Sequence, residues 1–299
     1  MSTTTQPQPD DSRERQSLPW STRDQQGDTK RTVAEAQRRP SGQARARGPE
    51  TLSAAATETQ GGSSDVSLAN TLAWHLIPGV AAAVAFFALG PPLHSVGIPP
   101  IGALLVAGAL VLLPVQLGYL LYQARRLTGR PTLEGAVHYR QPVRRRTYWT
   151  LIPALVIWAL VIGGSFLSLK GSLFAWLPSW ADDQFGVDEP GRYSQTTLLV
   201  VWALALPIAG IAVPLVEELY FRGHLLPRLE RLGIWAPVVN AVLFALYHLW
   251  SPWLFVGRVL GVLPFAYAVW RRRSIYIGIA VHLAVDLIGL LLVLPDILT

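Results

Sequence analysis

Glu217 and Glu218 stand side by side, and Arg222 follows four residues after the second of them. On a helix, Glu218 and Arg222 occupy positions i and i+4 with the acid first, the favourable order for an ion pair. That pairing would neutralise one carboxylate. Glu217, about 100° further round the helix, stays free to act as a general base. Upstream, Leu198–Val216 carries no charge at all. Ionisable groups that close such a run sit at or inside a membrane, where they usually face the protein interior and mark a functional site. The plainer alternative is a charged helix end that reaches headgroups. Two histidines weigh against it. Phe244-x-x-x-His248 puts one imidazole in an apolar stretch, and His282-x-x-x-Asp286 puts a second there with an acid one turn later. A lone intramembrane histidine is usually a packing residue with its hydrogen bonds satisfied. Two of them beside two or three carboxylates in neighbouring spans fit that reading poorly.

The elements that must position these groups follow from composition. Of 299 residues, 51% are hydrophobic and only 15% are charged. Long uncharged runs at that composition define a polytopic membrane protein. There is no cysteine, which excludes disulfides, thiolate metal sites and a Cys nucleophile. The net charge of +6 does not indicate nucleic acid. Residues 1–70 hold nine basic and nine acidic groups, so the whole excess lies in short loops of the apolar part. Residues 1–69, rich in Ser, Thr, Gln, Arg, Pro and Gly, cannot bury enough apolar surface to offset their ordering entropy and read as a disordered tail. They lack the apolar core of a signal peptide.

Seven apolar runs follow, at about 72–89 (broken at Pro78-Gly79), 101–122, 148–169, 197–216, 236–249, 253–270 and 275–294. Most reach the ~20 residues that a helix needs to cross a 30 Å hydrocarbon layer, although the fifth is short. The expected fold is all-α, a bundle of about seven transmembrane helices behind the tail 1–69. Residues 70–196 form its N-terminal helices and 197–295 its catalytic ones. Trp74, Trp149, Trp250, Trp253 and Trp270 fall at run ends, where an aromatic belt would place them. Basic loops follow the second, fourth and sixth runs: Arg125 to Arg146, Arg228 with Arg231, and Arg271 to Arg273. The loop after the third run is acidic instead, with Asp182, Asp183, Asp188 and Glu189. With seven spans the basic loops share one face, which the positive-inside rule makes cytoplasmic, and the tail joins them there.

Counting along the helices brings the polar residues to one depth. Gly233 is a natural turn, with Glu217 sixteen residues before it and His248 fifteen after. In an antiparallel helix pair the two share a layer. His282, nine residues past Arg273, lies roughly 13 Å deep, and His248, eleven past Pro237, roughly 17 Å. Breaks at Pro214 or Pro227 could shift these depths, or line a cavity. Other polar groups fit the site less well. His75 and His94 lie near the ends of the first span and its loop, His138 in a basic loop, and His224 towards the headgroups. Arg258 can snorkel to the outer surface.

Glu217-Glu218-x-x-x-Arg222-Gly223-x-Leu225, Phe244-x-x-x-His248 and His282-x-x-x-Asp286 together resemble the three motifs of the CPBP intramembrane proteases. That family includes the type II CAAX prenyl endopeptidases and the bacteriocin-processing or self-immunity (Abi-like) proteins. The likeness covers about 197–290. It implies a multi-pass protein of the cell membrane that hydrolyses a peptide bond of a membrane-anchored, CAAX-like prenylated substrate. By position, Glu217 and His248 would activate the attacking water. His282 and residue 286 would stabilise the oxyanion, and Glu218 with Arg222 would hold the motif helix. Asn is the commoner residue at the position of Asp286. An aspartate there must be protonated, orient His282, or bind a cation. Resemblance to enzymes classed as metalloproteases makes a divalent metal, with zinc the candidate, an expectation, and Glu217, His248 and His282 could hold it with one position open. The same residues would serve a metal-free water. Two other classes use such groups: a non-catalytic adaptor or immunity protein on this scaffold, and a proton-coupled transporter, for which no internal repeat is evident.

Overall fold

Each apolar run becomes a helix. The structure, a computed structural model, describes residues 68–167 and 191–299. The tail before Leu68 and the acidic loop with Asp182, Asp183, Asp188 and Glu189 lie outside the described residues, as do the expectations attached to them. The helices are α1 (Leu68–Ser95), α2 (Pro100–Thr128), α3 (Arg145–Leu167), α4 (Gln195–Arg228), α5 (Ala236–Tyr247), α6 (Phe255–Arg272) and α7 (Ile275–Leu298). The fold is all-α and belongs to a multi-pass membrane protein. Among the described residues, six helices are long and apolar enough to span a bilayer, one fewer than the runs imply. The exception is α5, whose 12 residues rise about 18 Å against a hydrocarbon layer of about 30 Å.

The shortfall leaves the expected sidedness of the loops intact. Arg273, at the end of α6, donates to the Tyr139 hydroxyl at 2.7 Å and pairs with Glu230, just past α4. Ile275 N donates to Tyr139 O at 2.7 Å, and Gln141 N to Arg273 O at 3.0 Å. The loops after α2, α4 and α6 therefore meet on one face, and α5 with α6 forms a hairpin that enters and returns there. At the opposite end the Tyr193 hydroxyl meets His94 Nδ1 at 2.7 Å, and Gln195 donates to Ile297 O at 3.3 Å.

Some prolines widen these helices without breaking them. Proline lacks the N–H that closes an α-helical turn, and its ring crowds the preceding turn. Wider π-helical turns absorb this in α2 at Gly108–Leu112, ahead of Pro114, and in α4 at Ile208–Ala212, ahead of Pro214. A third runs from Glu218 to Leu225, through the motif itself. In α1 the helix continues through Pro78. Gly79 serves a close approach instead: a Cβ there would stand 2.1 Å from the carbonyl oxygen of Tyr247. The core this permits is aromatic, with the Phe221 ring 4.9 Å from Tyr247 and 5.0 Å from Phe244. Two of the expected belt tryptophans, Trp250 and Trp253, are buried at 5% and 6% exposure, whereas Trp149 is 74% exposed. The reason is the early end of α5, which leaves 250 and 253 in a break between helices, where both are buried.

Candidate active site

Gly233 makes the turn between α4 and α5 with φ 55°, and the two helices then run side by side at matched depth. The residue that touches Glu217 across this pair is Tyr247, whose hydroxyl donates to Glu217 Oε1 at 2.9 Å. Gln116 Nε2, from α2, donates to that hydroxyl at 2.9 Å. One oxygen of Glu217 is thereby fixed and Oε2 is left free of it. Next in the chain, His248 ends α5 with φ −82° and ψ 56°. Its Nδ1–H donates to Phe244 O at 2.8 Å, satisfying a carbonyl that the helix end would orphan. Nε2 is left uncommitted by that bond.

Glu218 is fully buried and holds two partners through one oxygen. Arg222 Nη1 stands 3.0 Å from Glu218 Oε1, angled as an ion pair rather than an aligned hydrogen bond. His282 Nδ1–H donates to the same oxygen at 2.9 Å. The Arg222 guanidinium lies over the Phe244 ring at 4.1 Å and near Phe265 at 5.0 Å, so its charge is met by ring faces as well as by the acid. Gly278, one turn before His282, makes room for this: a Cβ there would stand 2.2 Å from Glu218 Oε2. Glu218 thus does more than the pairing expected of it. It fixes the orientation of His282 and holds a proton on its Nδ1; orienting His282 is a task one option assigned to Asp286. His282 Nε2 is 3.8 Å from Glu217 Oε2 and 3.7 Å from Asp286 Oδ2, too long for hydrogen bonds.

A cavity of about 320 Å³ gathers Glu217, His248, His282 and Asp286 on its wall, from α4, the end of α5, and α7. Its remaining lining is mostly apolar. Glu218 and Arg222 are not part of that wall. The other histidines stay away from it. His75 bonds Thr71 O and Asn240, His224 bonds Ala136 O, and His94 meets Tyr193. Arg258 corrects its expected placement: rather than reaching the outer surface, it lines the cavity and donates to the Ser251 hydroxyl at 3.0 Å. Sequence reasoning passed over Tyr247, Gln116 and Ser251. A signal existed for Gln116, an amide inside an otherwise apolar run, and for Tyr247, adjacent to His248.

Metal fit turns on the donor set. Both imidazoles have one nitrogen anchored and the other uncommitted, as metal-binding histidines do. Yet among the described residues no three His, Asp or Glu side chains gather closely enough to hold an ion. The residues as arranged do not fit a three-ligand zinc site, and no step below runs through a metal.

Residues 199–288 match the family model described as type II CAAX prenyl endopeptidase Rce1-like. This supports the resemblance carried by the three motifs, all of which lie within the matched stretch. No curated protein and no solved structure matches the chain.

Proposed function

We propose that the protein is an intramembrane endopeptidase that cuts a membrane-anchored, CAAX-like substrate by water attack on a peptide carbonyl. The observation that carries this reading is the convergence of Glu217, His248, His282 and Asp286 on one largely apolar cavity, inside the segment that matches the family. Glu217 Oε2, free while Tyr247 holds Oε1, takes a proton from a water that His248 Nε2 helps orient. The water oxygen attacks the carbonyl carbon, and the carbonyl oxygen becomes an oxyanion. His282 as an imidazolium, its Nδ1–H held by Glu218, presents a second N–H at Nε2, and this with a protonated Asp286 faces the developing charge, in a dry setting where such donors act most strongly. Collapse breaks the C–N bond, and Glu217 passes its proton to the leaving amine. One water is consumed, and a carboxylic acid and an amine are formed, which ionise to carboxylate and ammonium. The basic face is assigned to the cytoplasm.

The test uses purified full-length protein and a farnesylated peptide ending in Cys-Ala-Ala-Leu, with products identified by mass. Cleavage by the wild type that His248→Ala reduces by roughly 10²–10⁴ is expected, the range typical of general acid–base groups. Activity should survive a strong chelator. Loss on chelation with recovery on added zinc would assign the imidazoles to a metal. Intact cleavage by His248→Ala would remove it from the mechanism.

A further inference from the structure

Gln116 comes from α2, well outside the matched stretch 199–288, yet it is bonded to the group that holds Glu217. It is 1% exposed, and its Oε1 has no hydrogen-bond partner among the described residues. An unmet buried carbonyl costs stability, so a methionine or leucine would fill this place more favourably. Packing therefore does not account for the amide. Its bond to Tyr247 does, with Nε2 donating to the hydroxyl at 2.9 Å.

The Tyr247 ring has little freedom. It is fully buried, packed on Phe221 with ring centroids 4.9 Å apart, and pressed by α1, where a Cβ on Gly79 would stand 2.7 Å from Cδ2. What stays free is the direction of the hydroxyl proton, which rotates to suit its partners. Gln116 Nε2 and Glu217 Oε1 each stand 2.9 Å from the oxygen. An N–H aimed at that oxygen from α2 leaves the hydroxyl proton the other direction, toward Glu217. A carbonyl in the same place would compete for the proton, and one of the two acceptors would go unmet.

We propose that Gln116 is a positioning residue for the hydrolysis: by donating to Tyr247 it directs the hydroxyl proton onto Glu217 Oε1, and so makes Oε2 the oxygen that takes the proton from water. This rests on the reading of Glu217 as general base and adds what selects between its two oxygens. Oε1 stays occupied as an acceptor both before and after Oε2 gains its proton. Neither Gln116 nor Tyr247 is on the cavity wall, so the relay acts on the base and not on the substrate.

The test is a double-mutant cycle on purified full-length protein with the farnesylated Cys-Ala-Ala-Leu peptide. Gln116→Met and Gln116→Leu are each measured alone and combined with Tyr247→Phe. Either Gln116 variant alone should lower kcat about three- to tenfold, the range one hydrogen bond allows, with KM unchanged and the thermal unfolding midpoint held or raised. In the Tyr247→Phe background the same substitutions should cost nothing further, because the group they act through is gone. Wild-type kcat in the Gln116 variants, a loss carried by KM, a loss that persists at full size beside Tyr247→Phe, or a lowered midpoint would overturn the proposal. If one variant folds and the other does not, the folded one decides. Failure of both to fold would make the amide structural and overturn the proposal as well. Absence of cleavage by the wild type would sink the hydrolase reading and this proposal with it. Normal wild-type cleavage together with any of the contrary results sinks this proposal alone.

Discussion

Glu217 opens onto a cavity of about 320 Å³ beside His248 and Asp286, whereas Glu218, the next residue, is sealed between Arg222, His282 and Gly278. The two carboxylates are chemically identical and differ by one step round a helix. That step gives one a hydroxyl partner and a free oxygen, and the other an ion pair and an imidazole. Their neighbours set their tasks. The sealed side fixes geometry, and the open side has the uncommitted atoms that the proposed hydrolysis would use. His282 joins the two, with Nδ1 held on the sealed side and Nε2 presented to the open one.

The comparison breaks hardest at Arg222. Arg222→Ala leaves Glu218 buried without its cation, and stranding a buried charge costs about 3–5 kcal/mol. A clear fall in the thermal unfolding midpoint in detergent is expected, together with lost activity. An unchanged midpoint would mean that the sealed side is not structural. On the open side, Asp286→Ala should lower kcat by ~10²–10³, the usual cost of one oxyanion donor, with little change in stability. Asp286→Asn, a permanent donor of nearly the same shape, should retain most of the rate. It should also lose any decline at high pH that comes from deprotonating Asp286. An Asn variant as slow as the Ala variant would show that the negative charge itself is needed. The smallest effect belongs to Tyr247→Phe. It removes the hydrogen bond that fixes Glu217 Oε1 and should slow cleavage by about tenfold, close to the worth of one hydrogen bond to a charged group.

How much of this arrangement the sequence reveals depends on the range of the interaction. The helices are legible, because each apolar run marks its helix, although α1, α2 and α4 continue six, six and twelve residues past the ends of their runs. The convergence of Glu217, His248 and His282 is legible as well, since helical rise and a glycine turn set depth by counting. Depth does not set direction. At matched depth the chain turns Tyr247, not His248, toward Glu217, and only α2, through Gln116, shows why that hydroxyl is held. Arg258 misled for a related reason. A charge a few residues from a run end reads as snorkelling when the neighbouring helix is taken to span, but α5 stops at Tyr247 and opens an interior space. The π-helical turns follow prolines visible in the sequence, yet proline signals a disturbance without saying whether a helix bends, breaks or widens. Gly278 has no local signature at all. Its role exists only where α7 meets the Glu218 carboxylate.

The division of labour between the two glutamates is tested most directly by measuring cleavage rate and unfolding midpoint together for Glu217→Gln and Glu218→Gln. Glu217→Gln should abolish cleavage of the farnesylated peptide and leave the midpoint where the wild type has it. Glu218→Gln should lower the midpoint and reduce the rate along with it, because Arg222 loses its counter-charge and His282 its anionic acceptor. A Glu217→Gln protein that cleaves at the wild-type rate, or one destabilised as much as Glu218→Gln, would contradict the account.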